Sequence, residues 1–178
     1  MSSIPINKEI LQAVSNYTAS LKKPIHLILQ TGEHKKRKEL VGFLTEICSV
    51  SDNLILEEKD QSANLRSPIS FSIEVDKKPT GIIFSGIPSG HEFNSLILAI
   101  LQSGGSEIKL GDSIKIMLQN IQEVLRFETI VSLSCHNCPD VVQALNQFSL
   151  LNKNISNEMI DGGLYPELMK ERDIQGVP

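Results

Sequence analysis

The segment Cys135-His136-Asn137-Cys138-Pro139 restricts the fold of this chain more than any other feature. It follows a strand-like run, Phe127 to Leu133, and opens a pattern typical of an amphipathic helix, so we expect both cysteines at a strand-to-helix turn. There the two sulfurs can come within bonding distance. Amides at the helix start stabilise a thiolate on Cys135, and Pro139 suits the first helical turn, where no N–H is needed.

This arrangement predicts thiol–disulfide exchange. We expect Cys135 to attack a partner disulfide and Cys138, one turn later and more buried, to resolve the mixed disulfide. His136 and Asn137 tune the pair, since a partly charged His136 favours the Cys135 thiolate. Zinc is the alternative, but a zinc site normally has four ligands. The third cysteine, Cys48, ends an apolar helix face, and no second C-x-x-C or H-x-x-x-H occurs, so no metal is expected.

Composition and charge argue against several classes of function. The 178 residues carry a net charge of −4 and 4% aromatic residues, so nucleic-acid binding is not expected. The longest apolar run, Leu96–Leu101, is far shorter than the roughly 20 residues of a membrane-spanning helix. The start of the chain shows no signal pattern. We therefore expect a cytoplasmic location without membrane contact, where cysteines seldom form structural disulfides.

Hydrophobic periodicity and turn residues predict the other elements. The first half predicts, in order, a helix at 7–21, a strand at 25–29, a helix at 34–49, a strand at 54–56, an antiparallel pair at 69–75 and 80–84, and a helix at 89–102. This order is typical of thioredoxin. The second half predicts a linking helix from Ile114 to Leu125, a strand at 127–133, a helix from near Cys138, a strand at 155–160 and a short helix at 166–172.

The same pattern therefore begins twice. We predict an α/β chain of two tandem thioredoxin-like folds: residues 1–105 without a cysteine pair, a linking helix at 106–126, and a partial second fold at 127–178 that carries the C-x-x-C. The second copy lacks its last two strands and helix, so we expect a fragment truncated at its C-terminus. Gln30–His34, the counterpart of the dithiol in the first copy, has no cysteine, which leaves that copy a scaffold or docking role.

The fifteen residues Ser132–Asn146 (SLSCHNCPDVVQALN) resemble very closely the N-terminal domain of the F subunit of alkyl hydroperoxide reductase. Gly90–Phe93, Ile160–Gly163 and Gly176–Pro178 resemble the same family, so the likeness covers nearly the whole chain. The resemblance implies tandem thioredoxin-like folds of which the second alone carries the dithiol. By position, Cys135 would be its nucleophile and the second cysteine its resolving thiol.

The resemblance also implies an electron path. In that family a flavoprotein portion follows and uses NADH and FAD to reduce the N-terminal disulfide. The dithiol then reduces a peroxiredoxin of the C-subunit type, which destroys hydroperoxides. The present chain has no G-x-G-x-x-G loop, so it should bind neither FAD nor NADH, and we expect both on the portion that follows. A homodimer is compatible with the full-length protein.

Three more residues gain a role from the resemblance. Glu92 matches the family's glutamate, placed near the dithiol, where a carboxylate can accept a proton from a buried thiol. The alternative is a solvated helix-start residue, with His91 beside it at the surface. Pro68 and Pro178 occupy positions where thioredoxin folds carry a cis-proline, and Pro178 would stand opposite the dithiol and shape the partner groove.

Three functional hypotheses remain open at this point. The first is an electron-relay domain of a peroxiredoxin reductase, which is a disulfide oxidoreductase. The second is a free-standing dithiol carrier of glutaredoxin type, and a stop codon after residue 178 would favour it over the first. The third is a non-catalytic module that docks a peroxiredoxin, which predicts that Cys135→Ser leaves the function intact.

Overall fold

A single six-stranded sheet forms the centre of the molecule. The computed structural model describes residues 6–178; residues 1–5, which begin the predicted first domain and carry the chain start without a signal pattern, lie outside this range. The strand order is β2-β1-β3-β4-β6-β5. The bounds are β1 Ile25–Gln30, β2 Leu54–Lys59, β3 Ser70–Val75, β4 Lys78–Ser85, β5 Leu125–Val131 and β6 Ile155–Asp161.

Strand direction brings the functional loops to one edge of this sheet. The neighbouring pairs β1–β2, β4–β6 and β5–β6 are parallel, whereas β3 is antiparallel to β1 and to β4. The carboxyl ends of β1, β2, β4, β5 and β6 therefore point the same way. The loops that follow β1, β4 and β5 lie along that shared edge.

Six helices accompany the sheet within the described range. They are α1 Lys8–Thr18, α2 Arg37–Cys48, α3 Phe93–Ser103, α4 Asp112–Gln119, α5 Cys138–Leu151 and α6 Pro166–Glu171. Helix α1 begins after Asn7, whose side chain accepts a hydrogen bond from the Glu9 amide at 2.9 Å. Helix α3 is preceded by a 3₁₀ turn at Gly90–Glu92 and ends at Gly104. No helix among residues 6–178 is both long and apolar enough to cross a bilayer.

The two halves of the chain share one core. Leu27 and Phe84 from the first half and Val142 and Met159 from the second are all 0% exposed and belong to the same hydrophobic cluster. The parallel pairing of β4 with β6 likewise crosses from one half to the other. Sheet and core are therefore continuous across the predicted boundary at 105–127, and the division into two tandem folds stays a prediction.

The predicted linking helix at 106–126 is wrong in its extent. Helix α4 ends at Gln119, and Leu125 is the first residue of β5 rather than part of a helical face. The Asn152 side-chain amide donates to the carbonyls of Leu118 and Ile121, both at 2.8 Å. The bond to Leu118 satisfies one of the carbonyls that the end of α4 leaves free, and the bond to Ile121 holds the segment that follows the helix.

Smaller differences concern element ends and two prolines. Helix α2 starts at Arg37 instead of residue 34, and β5 stops at Val131, short of Leu133. Pro68 and Pro178 occupy the positions where thioredoxin folds carry a cis-proline, but the peptide bonds before them are trans, like every other peptide bond in residues 6–178.

Candidate active site

The dithiol lies in the loop between β5 and α5. A turn closed by the Cys135 amide and the Ser132 carbonyl, 2.9 Å apart, follows the strand. Helix α5 then starts at Cys138, with Pro139 in its first turn. The Cys138 amide donates to the Cys135 sulfur at 3.1 Å. The side chain of Cys135 therefore caps the helix that carries its partner, as the strand-to-helix placement predicts.

The two thiols differ in burial and in acidity. Cys135 is partly exposed and Cys138 is 0% exposed, and neither forms a disulfide. The Cys138 side chain, together with the amides of Cys138 and Asn137, lowers the pKa of Cys135. Burial, followed by the neighbouring Cys135 sulfur, raises the pKa of Cys138 to about 11. Such a split favours an accessible nucleophile and a buried resolving thiol.

Pro178 lies directly beside both sulfurs. The Cys135 thiol donates to the Pro178 carbonyl oxygen at 2.8 Å, and the Cys138 thiol does so at 3.5 Å. One carbonyl therefore accepts from both members of the pair.

Glu92 is buried next to the dithiol. Its side chain is 0% exposed, and neither carboxylate oxygen has a hydrogen-bond partner within residues 6–178. Burial raises the Glu92 pKa, and the nearby Ser95 hydroxyl offsets this only in part. The charge on Glu92 in turn raises the pKa of both cysteines. The alternative of a solvated helix-start residue is therefore wrong: the carboxylate is buried, and its burial favours the protonated form.

Two imidazole rings border the dithiol at the surface. His136 and Asn137, between the cysteines, are both exposed. The ring of His91 lies against that of His136 with centroids 4.3 Å apart. Sequence reasoning placed His91 at the surface but missed this contact. The one available signal was its position beside Glu92.

Neither a cluster of metal ligands nor an array of free glycine amides is seen beside the dithiol in the described range. No group of three or more His, Cys, Asp or Glu side chains among residues 6–178 could hold a metal ion. Cys48 lies at the end of α2, where burial raises its pKa to about 11. The Gly163 amide donates to Asp161 at 3.0 Å, and Gly104 ends a helix. These glycines do not form the free amide cradle that a dinucleotide phosphate needs.

Comparison with known proteins relates the chain to one group. No protein-family model matches it. The F subunit of alkyl hydroperoxide reductase from Staphylococcus aureus is 40% identical over 173 residues, which cover 97% of this chain and 33% of that protein. The chain thus spans about one third of this curated relative. The crystal structure of the NTD_N/C domain of the corresponding reductase, AhpF, from Enterococcus faecalis is 34% identical, with a TM-score of 0.89 over 98% of this chain and 88% of that one.

A more distant solved structure supports the fold alone. A protein disulfide oxidoreductase from Aeropyrum pernix is 19% identical, with a TM-score of 0.83 over 98% of this chain and 83% of that one. Together these similarities confirm the predicted α/β class and the thioredoxin-like fold.

Proposed function

The chain belongs to the family of the N-terminal domain of alkyl hydroperoxide reductase AhpF, and from that premise we propose that it relays electrons to a peroxiredoxin of the C-subunit type. It is then a disulfide oxidoreductase acting in hydroperoxide reduction. The hydrogen bond from the Cys138 amide to the Cys135 sulfur carries this proposal. The Cys138 side chain and this amide bond at the start of a helix both lower the pKa of the partly exposed Cys135, which favours its thiolate.

The first chemical step uses Cys135 alone. Its thiolate attacks one sulfur of the peroxiredoxin disulfide, a bond forms between the two sulfurs, and the other peroxiredoxin sulfur leaves as a thiolate. His136, Asn137, Pro139 and Pro178 surround the point of attack. We propose that they shape the groove in which the partner disulfide aligns with the Cys135 sulfur.

The second step uses Cys138 and Glu92. Since the pKa of Cys138 is about 11, this thiol must lose its proton before it can react. We propose that Glu92 accepts that proton. The Cys138 thiolate then attacks the Cys135 sulfur, the mixed disulfide breaks, and the second peroxiredoxin sulfur leaves as a thiolate. The peroxiredoxin has gained two electrons, and Cys135 and Cys138 form a disulfide.

The disulfide must be reduced again before another cycle. We propose that an NADH- and FAD-dependent flavoprotein portion supplies these electrons. The chain carries no G-x-G-x-x-G loop, so we propose that both cofactors bind to that portion and that no step within this chain uses them. A cytoplasmic location, a homodimer of the whole protein and a tandem of two thioredoxin-like units also stay predictions.

A single-turnover experiment tests the relay. The 178-residue chain is reduced, freed of reductant and mixed with an oxidised peroxiredoxin of the C-subunit type, and new peroxiredoxin thiols are counted. We expect one disulfide reduced for each chain. Cys135→Ser should abolish the transfer, and Cys138→Ser should stop at a mixed disulfide that is visible on a non-reducing gel.

The outcomes separate the three hypotheses. If Cys135→Ser left the peroxiredoxin as active as the wild-type chain does, the chain would be a docking module. If the chain reduced glutathione mixed disulfides but failed with the peroxiredoxin, it would be a glutaredoxin-like carrier. A Cys138→Ser variant that traps no mixed disulfide would contradict the assigned order of attack.

A further inference from the structure

A turn of the first half of the chain is fixed against the dithiol loop. The His91 amide donates to the Leu133 carbonyl at 3.1 Å. Gly90 adopts a φ of +57°, and a Cβ atom there would lie 2.6 Å from the same carbonyl oxygen. Glycine therefore permits the close approach. The 90–92 turn is thus anchored two residues before Cys135.

The His91 side chain extends this anchor to the cysteines. Its ring and that of His136 lie 4.3 Å apart, centre to centre, with a tilt of 46°. The other two histidines, His26 and His34, use ring nitrogens in hydrogen bonds. His91 and His136 instead meet ring to ring at the surface, immediately beside the dithiol.

This contact restrains the residue that follows Cys135. His136 belongs to the short turn across which the Cys138 amide reaches the Cys135 sulfur. If its ring moved freely, that turn would sample geometries in which the amides no longer point at the sulfur. A side chain held on a neighbouring element reduces such motion, because its preferred position also fixes the backbone that bears it.

We propose that His91 is a positioning residue for Cys135: its ring packs against His136 and holds the 135–138 turn in the geometry that stabilises the thiolate. The inference rests on the proposed function only in treating Cys135 as the nucleophile. It also gives the cysteine-free half a role in the chemistry, since the 90–92 turn supplies both this contact and the Glu92 carboxylate.

Two substitutions separate ring packing from ring chemistry. His91→Ala removes the contact, and His91→Phe keeps a flat ring without nitrogen atoms. Since a ring pair is worth about a factor of two to ten in an equilibrium, we expect His91→Ala to slow iodoacetamide alkylation of Cys135 roughly two- to tenfold. The reduction potential of the 135/138 pair should become more negative, because the reduced form loses stabilisation.

His91→Phe should restore most of the rate and of the potential. His34→Ala is the matched control, because it removes a histidine from the corresponding loop after β1, and both readouts should stay unchanged. An unchanged rate and potential in His91→Ala would overturn the proposal, and so would equal losses in His91→Ala and His91→Phe. Neither readout needs a peroxiredoxin, so a failed electron transfer in the wild-type chain would refute the relay without bearing on this test.

Discussion

The loops after β1 and β5 occupy corresponding places but present different chemistry. Each strand is followed, seven residues after its end, by the first residue of a helix: Arg37 after β1 and Cys138 after β5. Both side chains donate to a proline carbonyl. Arg37 reaches that of Pro68 at 2.5 Å, and the Cys138 thiol reaches that of Pro178 at 3.5 Å.

Arginine closes the first of these loops. Besides the Pro68 carbonyl, Arg37 also donates to the Gln30 carbonyl and forms an ion pair with Glu58 at 2.6 Å. Its guanidinium therefore connects the end of β1 to two other segments. At the β5 loop, the two thiols contact the Pro178 carbonyl instead, and the side chain of Cys135 is partly exposed. The same sheet thus carries an arginine that connects three segments at one loop and a pair of cysteines at the other.

The largest expected effect on the rate of electron transfer comes from Glu92→Gln, because this substitution removes the buried acid beside the β5 loop. We expect the second step of electron transfer to peroxiredoxin to slow roughly a hundredfold, near the lower end of what general bases contribute. Alkylation of Cys135 should not slow, because the Glu92 charge raises the Cys135 pKa and its removal lowers it. Rapid-quench counting of mixed disulfide and product separates the two steps.

Thermal unfolding provides the control for that variant. Burial raises the Glu92 pKa above its usual 4.5, so the ionised side chain destabilises the folded state at neutral pH, and this cost vanishes at a pH below 4.5. Glu92→Gln should therefore have a higher Tm than wild type at about pH 7 and the same Tm at about pH 4. A lower Tm at neutral pH together with slower transfer would point to damaged packing instead of a missing proton acceptor.

The next effect compares thiols within the wild-type chain. Cys48 and Cys138 have pKa values raised to about 11, whereas that of Cys135 lies below the ordinary 9.0. At neutral pH the thiolate fraction of Cys135 is then at least about a hundredfold larger than that of Cys48. A thiolate of lower pKa is also a weaker nucleophile, which reduces the difference in rate by about a factor of ten. We expect iodoacetamide to label Cys135 at least about ten times faster than Cys48, as measured by peptide mass spectrometry. Equal rates would show that the loop after β5 does not activate the Cys135 thiol.

Local patterns predicted most of the elements and the location of the cysteine pair between a strand and a helix. Alternating or periodic apolar residues located the six strands, and the Cys135–Pro139 segment indicated a dithiol at a helix start. Both kinds of feature are set by residues that are close together in the sequence, and hydrophobic periodicity reports on such residues. The end of α4 was missed: a carbonyl in its last turn is satisfied by Asn152, a residue outside that local pattern.

The site residues that were missed or left undecided depend on contacts between distant segments. Nothing local indicates that Glu92 is buried, since glutamate in a first helical turn is normally solvated. The approach of His91 to His136 and the reach of Arg37 to Pro68 each join parts of the chain that meet only through the shared sheet. The family resemblance indicated a role for Glu92. The other two contacts could be seen only in the structure.

A smaller effect is expected from Gly90→Ala. The new side chain must accept a φ of +57° and approach the Leu133 carbonyl, so we expect the free energy of unfolding to fall by about 1–2 kcal/mol. The turn should also shift away from the dithiol loop and slow Cys135 alkylation a few-fold. Gly111→Ala is the matched control, because φ is −61° and no atom lies within 4 Å of a Cβ there. Equal alkylation rates in the two variants would show that the position of the 90–92 turn does not affect the reactivity of Cys135.

The smallest effect on the dithiol is expected from Arg37→Ala, which opens the β1 loop. Loss of its bonds to two carbonyls and one carboxylate should lower the free energy of unfolding by about 1–3 kcal/mol, measured by urea denaturation. Cys135 alkylation and the 135/138 potential should stay unchanged, since none of these bonds reaches the β5 loop. If the alkylation rate changed more than twofold, or if the potential shifted, the β1 and β5 loops would be coupled through the sheet. Arg37 would then influence the dithiol, and its bonds in the β1 loop would not have a structural role alone.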